Sequence, residues 1–154
     1  MNHIVLLITM LMSLTCCTQR MPSGPIRAYE YTHNNCTAFP VAHYQIVISA
    51  SGTQTLIYSR NEAENHSVVL KEDALGKIDA LVRKYKLYRL KRDYYPPFTV
   101  YDGWSWSLTV SYERDSFSSG GQNQRPPERL QAGIDAINGY VESLIPQDEE
   151  NTQL

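Results

Sequence analysis

Phenylalanine is scarce in this chain, with three residues against eleven tyrosines, so the aromatic part of any core has to be built largely from rings that carry a hydroxyl. Tyrosine is an ordinary half-buried strand residue and also a common anchor at wet protein interfaces. A strong charge of either sign is missing too. The formal net charge is −2 and the isoelectric point is near 6.1, which argues against a protein whose main business is holding nucleic acid. The apolar run at residues 4–14, IVLLITMLMSL, falls short of the ~20 residues that span a bilayer as a helix. Only Cys36 of the three cysteines lies inside the part of the chain expected to fold. Gly120, Gly121 and Asn123 lack the lysine and the strand–loop–helix spacing of a phosphate-binding loop. What is present, 154 residues of which 42% are hydrophobic, suffices for one compact domain.

The run at 4–14 has the length of a signal peptide. Leu14, Thr15, Cys16 and Cys17 follow it and resemble the bacterial lipoprotein signal, in which a leucine three residues before a cysteine and a small residue just before it direct lipidation and cleavage. The resemblance implies palmitate-type lipidation at Cys17, because Leu14 then takes its place in the pattern. It further implies attachment to the membrane through the N-terminal lipid. Cleavage before Cys16 is the variant of this reading, and a plain secretory signal or uncleaved anchor the alternative; each exports the domain. Lipidation of Cys17 leaves Cys36 free, whereas lipidation of Cys16 makes a Cys17–Cys36 disulfide available in an oxidising envelope. No acidic cluster directly follows the lipid-bearing cysteine, which favours the periplasmic face of the outer membrane. The expected organisation is a signal peptide at 1–17, a tether at 18–25 broken by Pro22, Gly24 and Pro25, one domain at 26–146, and a disordered acidic tail at 147–154.

The domain is organised by residues 102–112, DGWSWSLTVSY. Trp104, Trp106, Leu108, Val110 and Tyr112 fall on one face and Ser105, Ser107, Thr109 and Ser111 on the other, the period of two that a half-buried strand requires. Two such rings bury roughly 150–250 Å² each, so other elements must cover them. Residues 43–49 and 53–59 alternate likewise around Ala50, Ser51 and Gly52 and read as a hairpin. Residues 26–31 alternate imperfectly and read as an edge strand, with 32–41 as a loop. A short strand is expected at 66–70 and another at 116–118, with 119–125 as loop.

Two helices complete the pattern. Leu75, Ile78, Leu81, Val82 and Tyr85 recur at helical spacing over 72–85, and Leu130, Ile134, Ile137, Val141 and Leu144 do so between the opening prolines Pro126 and Pro127 and the terminating Pro146. The expected fold is α+β, an antiparallel sheet of about five strands packed against two helices. Asp102, Gly103, Trp106 and Leu108, followed by Ser118, Gly120, Asn123 and Pro126 ahead of an apolar helix, resemble small exported domains of unknown function found in bacterial lipoproteins, notably of Bacteroidota. That resemblance covers about residues 26–145 and implies a fold and a cellular address, and no activity.

Four groups of residues are candidates for function. His33, Cys36, His43 and His66 have the donor types of a metal site, but only His33 and Cys36 stand at the close spacing of paired ligands, so no metal or other cofactor is expected. Cys36 with a histidine lacks the helix N-terminus or oxyanion-binding turn of a nucleophile pair. An enzyme would need Cys36, His43 or Asp102 to gather in one pocket. Residues 83–92, RKYKLYRLKR, carry Arg83, Lys84, Lys86 and Arg89 among tyrosines; with export excluding nucleic acid, the reading left is contact with an acidic protein or anionic headgroups, or a solvated helix end. Pro96 and Pro97 stiffen 94–101, which presents Tyr94, Tyr95, Phe98 and Tyr101. The leading expectation is therefore a non-enzymatic envelope lipoprotein that binds a protein partner, one version being an inhibitor or immunity protein. A carbohydrate-binding module built on those four aromatics is the alternative, and a Cys/His enzyme the next.

Overall fold

The structure, a computed structural model, describes residues 20–36, 40–61, 64–98, 100 and 103–147; the leader with Cys16 and Cys17, the side chains of Tyr101 and Asp102, and the tail from residue 148 lie outside the described residues. The elements run β1 (Ile26–Asn35), β2 (Ala42–Ile48), β3 (Gln54–Ser59), β4 (His66–Val69), α1 (Ala74–Tyr85), β5 (Asp93–Tyr94), β6 (Trp104–Tyr112), β7 (Ser116–Gln122) and α2 (Glu128–Ser143). The class is α+β as the patterns require, but the sheet has seven strands, in the order β4-β3-β2-β1-β6-β7-β5. It is mixed, because β5 runs parallel to β7. At two residues, β5 is too short to carry any period.

The first strand is not an edge. β1 sits at the centre of the sheet between β2 and β6, and a register shift between Ile26 and Ala28 explains its broken alternation. That bulge moves the buried face from Ile26 to Tyr29 and Tyr31, so a strict period-two reading loses the signal at the third residue. β1 also continues to Asn35, through what reads as loop. β7 likewise runs on to Gln122, because Gly120 and Gly121 lie in the ladder opposite Ser107 and Trp106. A Cβ on Gly121 would come within 2.5 Å of both the Trp106 indole nitrogen and the Gln124 carbonyl oxygen. These glycines are there for close approach, and they do not mark a turn.

Both helices cover one face. Tyr29, Tyr44, Ile46, Leu56, Tyr58, Trp106, Leu108, Val110 and Tyr112 point into it and meet Leu75, Ile78 and Val82 of α1 and Ile134, Ile137 and Val141 of α2. The hydroxyls of the core tyrosines reach through this layer to polar atoms on the helices. Tyr29 donates to Asn138 Oδ1 at 2.6 Å, Tyr44 to Glu142 Oε1 at 2.8 Å, and Tyr112 to Asp79 Oδ1 at 2.8 Å. Burial, and next the bond to Glu142, push the Tyr44 phenol up to about 12; burial and then Asp79 likewise raise Tyr112. All are therefore neutral donors at physiological pH. Three of the eleven tyrosines serve as this device, a core ring whose hydroxyl fixes the helix above it.

Local chemistry sets the helix ends. Asp73 caps α1 by accepting the Gly76 N–H at 3.0 Å and is held from the sheet by Gln54 Nε2 at 2.8 Å. The acidic pair Glu72 and Asp73 therefore precedes the helix instead of occupying its first turn. Lys86, in the left-handed conformation, ends it. Pro127 is the cap residue of α2, so the prolines stand just outside the helix they open.

Candidate functional site

The segment from Asp93 to Phe98 leaves the sheet at its β5 edge, and its aromatics divide. Tyr94 is buried, with its ring 5.9 Å from Trp106 and its hydroxyl accepting the Lys91 N–H at 3.1 Å. It closes the end of the core, a consequence of its place in a two-residue strand, and has no face left for a ligand. Tyr95 and Phe98 are the opposite case at 62% and 68% exposed. The side chain of Tyr101 lies outside the described residues.

The basic run divides as well. Arg83 Nε is 2.8 Å from Asp79 Oδ2 on the same helix, which takes up its charge. Lys84 lies over the Tyr85 ring at 5.2 Å, and Lys86 is the helix cap. Arg89, Lys91 and Arg92 are exposed. Arg92 faces a surface groove of about 730 Å³ that Arg20, Met21, Tyr88, Phe117 and Ser118 also line.

This groove follows a strand edge that is unpaired among the described residues. β5 meets β7 only at Gly120 and Gly121, where the Gly120 N–H donates to the Arg92 carbonyl at 2.9 Å. Alternation along β7 then turns the backbone groups of Ser118 and Ser116 to the same side, where no strand among the described residues pairs with them. Residues 20–23 form the far wall. Ser23 donates from its backbone N–H and its hydroxyl to Asp115 Oδ2 at 3.0 and 2.7 Å, and Pro25 accepts from the Glu113 N–H at 2.9 Å. The last residues of the expected tether are thus part of the domain. Arg27 and Glu113 pair beside them at 2.8 Å.

The histidines and the cysteine do not converge. His33 stands opposite Ala42 and His43 opposite Thr32, which puts their side chains on opposite faces of the sheet. His43 Nδ1 is 3.1 Å from Thr32 Oγ1, and His66 stacks on Tyr58 at 5.4 Å. Cys36 is exposed with a free thiol that clips the start of β6, donating to the Gly103 carbonyl at 2.5 Å and accepting the Gly103 N–H at 2.8 Å. Among the described residues no group of three or more metal-binding side chains stands together. No helix among them is long and apolar enough to cross a membrane.

A second concavity lies where the sheet extends past the start of α2. Tyr31 and His33 of β1, Trp104 and Trp106 of β6, Arg125, and Gln131, Ile134 and Asp135 of α2 enclose about 180 Å³. The Arg125 guanidinium lies 5.5 Å from the Trp104 ring centroid, and His33 meets the same ring edge-on at 6.1 Å. Gln131 Nε2 donates to Asp135 Oδ1 at 2.7 Å. Burial, and then Arg125, hold His33 below the usual histidine value, so it is neutral at pH 7 with one ring nitrogen a donor and the other an acceptor. The sequence assigns both tryptophans to core and gives no reason to join them with Arg125, since that contact depends on how the loop after β7 returns. Two residues singled out in the sequence hold that loop. Asn123, in the left-handed conformation, accepts the Trp104 N–H at 2.9 Å, and the Trp106 indole donates to the Gln124 carbonyl at 2.9 Å. No protein-family model matches the chain, and no curated protein matches it.

Proposed function

We propose that this chain is an exported, lipid-anchored binding domain of the bacterial envelope, not an enzyme, and that it recognises a protein partner along the β5–β7 edge. One observation carries the reading. Two large aromatics, Tyr95 and Phe98, stand exposed beside Pro96 and Pro97, on the same sheet edge where β7 offers a groove backbone that no described strand pairs with. A stiff segment presents its rings at little ordering cost, and rigid aromatics are what hot spots are made from. The open edge of β7 suits an extended segment of the partner, which would add a strand there. Arg20, Arg89 and Arg92 favour an acidic partner and make binding weaken as salt rises. Inhibition of, or immunity to, an incoming protein is one form of this function.

The Tyr95→Ser, Phe98→Ser double variant tests it. With both rings solvated, the fold should hold, with thermal unfolding little changed, and partner recovery from envelope extract should be lost. Undiminished recovery would place recognition elsewhere. The anchor is tested separately: Cys17→Ser is expected to abolish palmitate labelling and release the protein from the membrane fraction, whereas unchanged labelling would move the lipid to Cys16.

A further inference from the structure

The crevice under α2 has the composition of a ligand site and is separate from the edge proposed for the protein partner. Its walls are aromatic, from Tyr31, Trp104 and Trp106, and its rim is polar, from His33, Arg125 and Asp135. Arg125 brings one positive charge and Asp135 one negative, so the lining has no net charge with which to hold an ion. It offers a fork of N–H donors on one side and carboxylate acceptors on the other, with the neutral His33 able to act either way. At about 180 Å³ it has room for about six waters at ~30 Å³ each, which is the bulk of one six-membered sugar ring and less than a disaccharide or a peptide segment requires.

We propose that this crevice binds a single neutral pyranose, its C–H face against the aromatic wall and its hydroxyls shared between Arg125, Asp135 and Gln131. A polyol is the ligand class that presents donors and acceptors together without charge, and it matches a mainly polar lining of both kinds with aromatic rings beside it. Anions would meet Asp135 and cations Arg125, each at a cost. The chemistry recognised is the same whether the ring is a free monosaccharide or the end of a glycan.

Both tryptophans of the chain line the crevice, so their emission reports on it directly. Glucose, galactose and N-acetylglucosamine, each also as the methyl glycoside, are titrated into the folded protein. At least one is expected to change tryptophan emission saturably, with a midpoint near ~1 mM. Binding of the glycoside as tight as that of the sugar indicates a glycan end, and binding of the reducing sugar alone a free monosaccharide. Arg125→Gln and Asp135→Asn alter exposed groups and should keep the circular dichroism of the parent while weakening binding about ten-fold, the loss of one charge-assisted hydrogen bond. The Tyr95→Ser, Phe98→Ser variant should titrate as the parent, whatever becomes of its protein partner. The inference is overturned if no neutral sugar saturates the signal, if glucuronate or glycine does so in their place, or if both crevice variants bind as the parent does.

Discussion

Trp106→Ala is expected to lower the free energy of unfolding by about 3–5 kcal/mol, the range of large aromatic truncations in a core. The ring is 5% exposed, packs against Tyr94 and donates its N–H to Gln124. Removing it opens a cavity and strands a carbonyl at once. The site cannot collapse to fill the space, because the backbone opposite it is Gly121 in a paired strand, with no side chain to move in. Urea denaturation followed by far-UV circular dichroism measures the loss. A change below about 0.5 kcal/mol, the size of an ordinary surface substitution effect, would show that the ring serves recognition and not the core. Trp104→Ala should cost less, since that ring is only half-buried.

The second large effect is expected where the two helices cross. A Cβ on Gly133 of α2 would fall 2.6 Å from the Tyr85 Cβ and 2.8 Å from Leu87 Cδ2, and the first of these is fixed close to the α1 backbone. Gly133→Val must therefore push the helices apart, at about 1–3 kcal/mol as overpacking does. Gly139 lies on the same helix with nothing within 4 Å of its would-be Cβ. There Gly139→Ala should stabilise, by about 1 kcal/mol, through helix propensity alone. Opposite signs in the same denaturation assay support the crossing; a neutral Gly133→Val would contradict it.

The parts of the fold legible in the sequence are those written in a regular period. The serine-alternated tryptophan strand, the hairpin around Gly52 and the stripes of both helices all read correctly, because each element repeats its burial pattern over several residues. What was hidden has local physical causes. A bulge after Ile26 broke the alternation of β1 and disguised the central strand as an edge. Two glycines, Gly121 required by the Trp106 ring and Gly120 set close to the Trp106 backbone carbonyl, disguised the end of β7 as a loop. β5 is held through the Arg92 carbonyl, which accepts the Gly120 N–H, and lies against Gly120 and Gly121 of β7, a pairing that no pattern within 93–94 encodes. For the candidate site, the sequence located the stiff aromatic segment but could not sort its rings. Tyr94 turns inward because it stands in β5, while Tyr95 and Phe98 stay in solvent. The groove along β7 was invisible, since it depends on where a strand ends and on a tether that docks through Asp115. The crevice was invisible too, because it joins residues from β1, β6 and α2 that share no stretch of chain.

If the β5–β7 edge, and not merely any exposed apolar residue, meets the partner, it should be covered in the envelope while the opposite edge stays free. Phe98 and Val69 allow a direct comparison, since they are 68% and 61% exposed and belong to opposite ends of the sheet. A photoreactive benzophenone side chain placed at position 98 or at position 69 of the full-length chain, irradiated in intact envelopes, reports which edge is covered. A discrete protein adduct is expected from position 98, fading as salt is raised, and none from position 69. Equal labelling from both positions, or none from position 98, would contradict it.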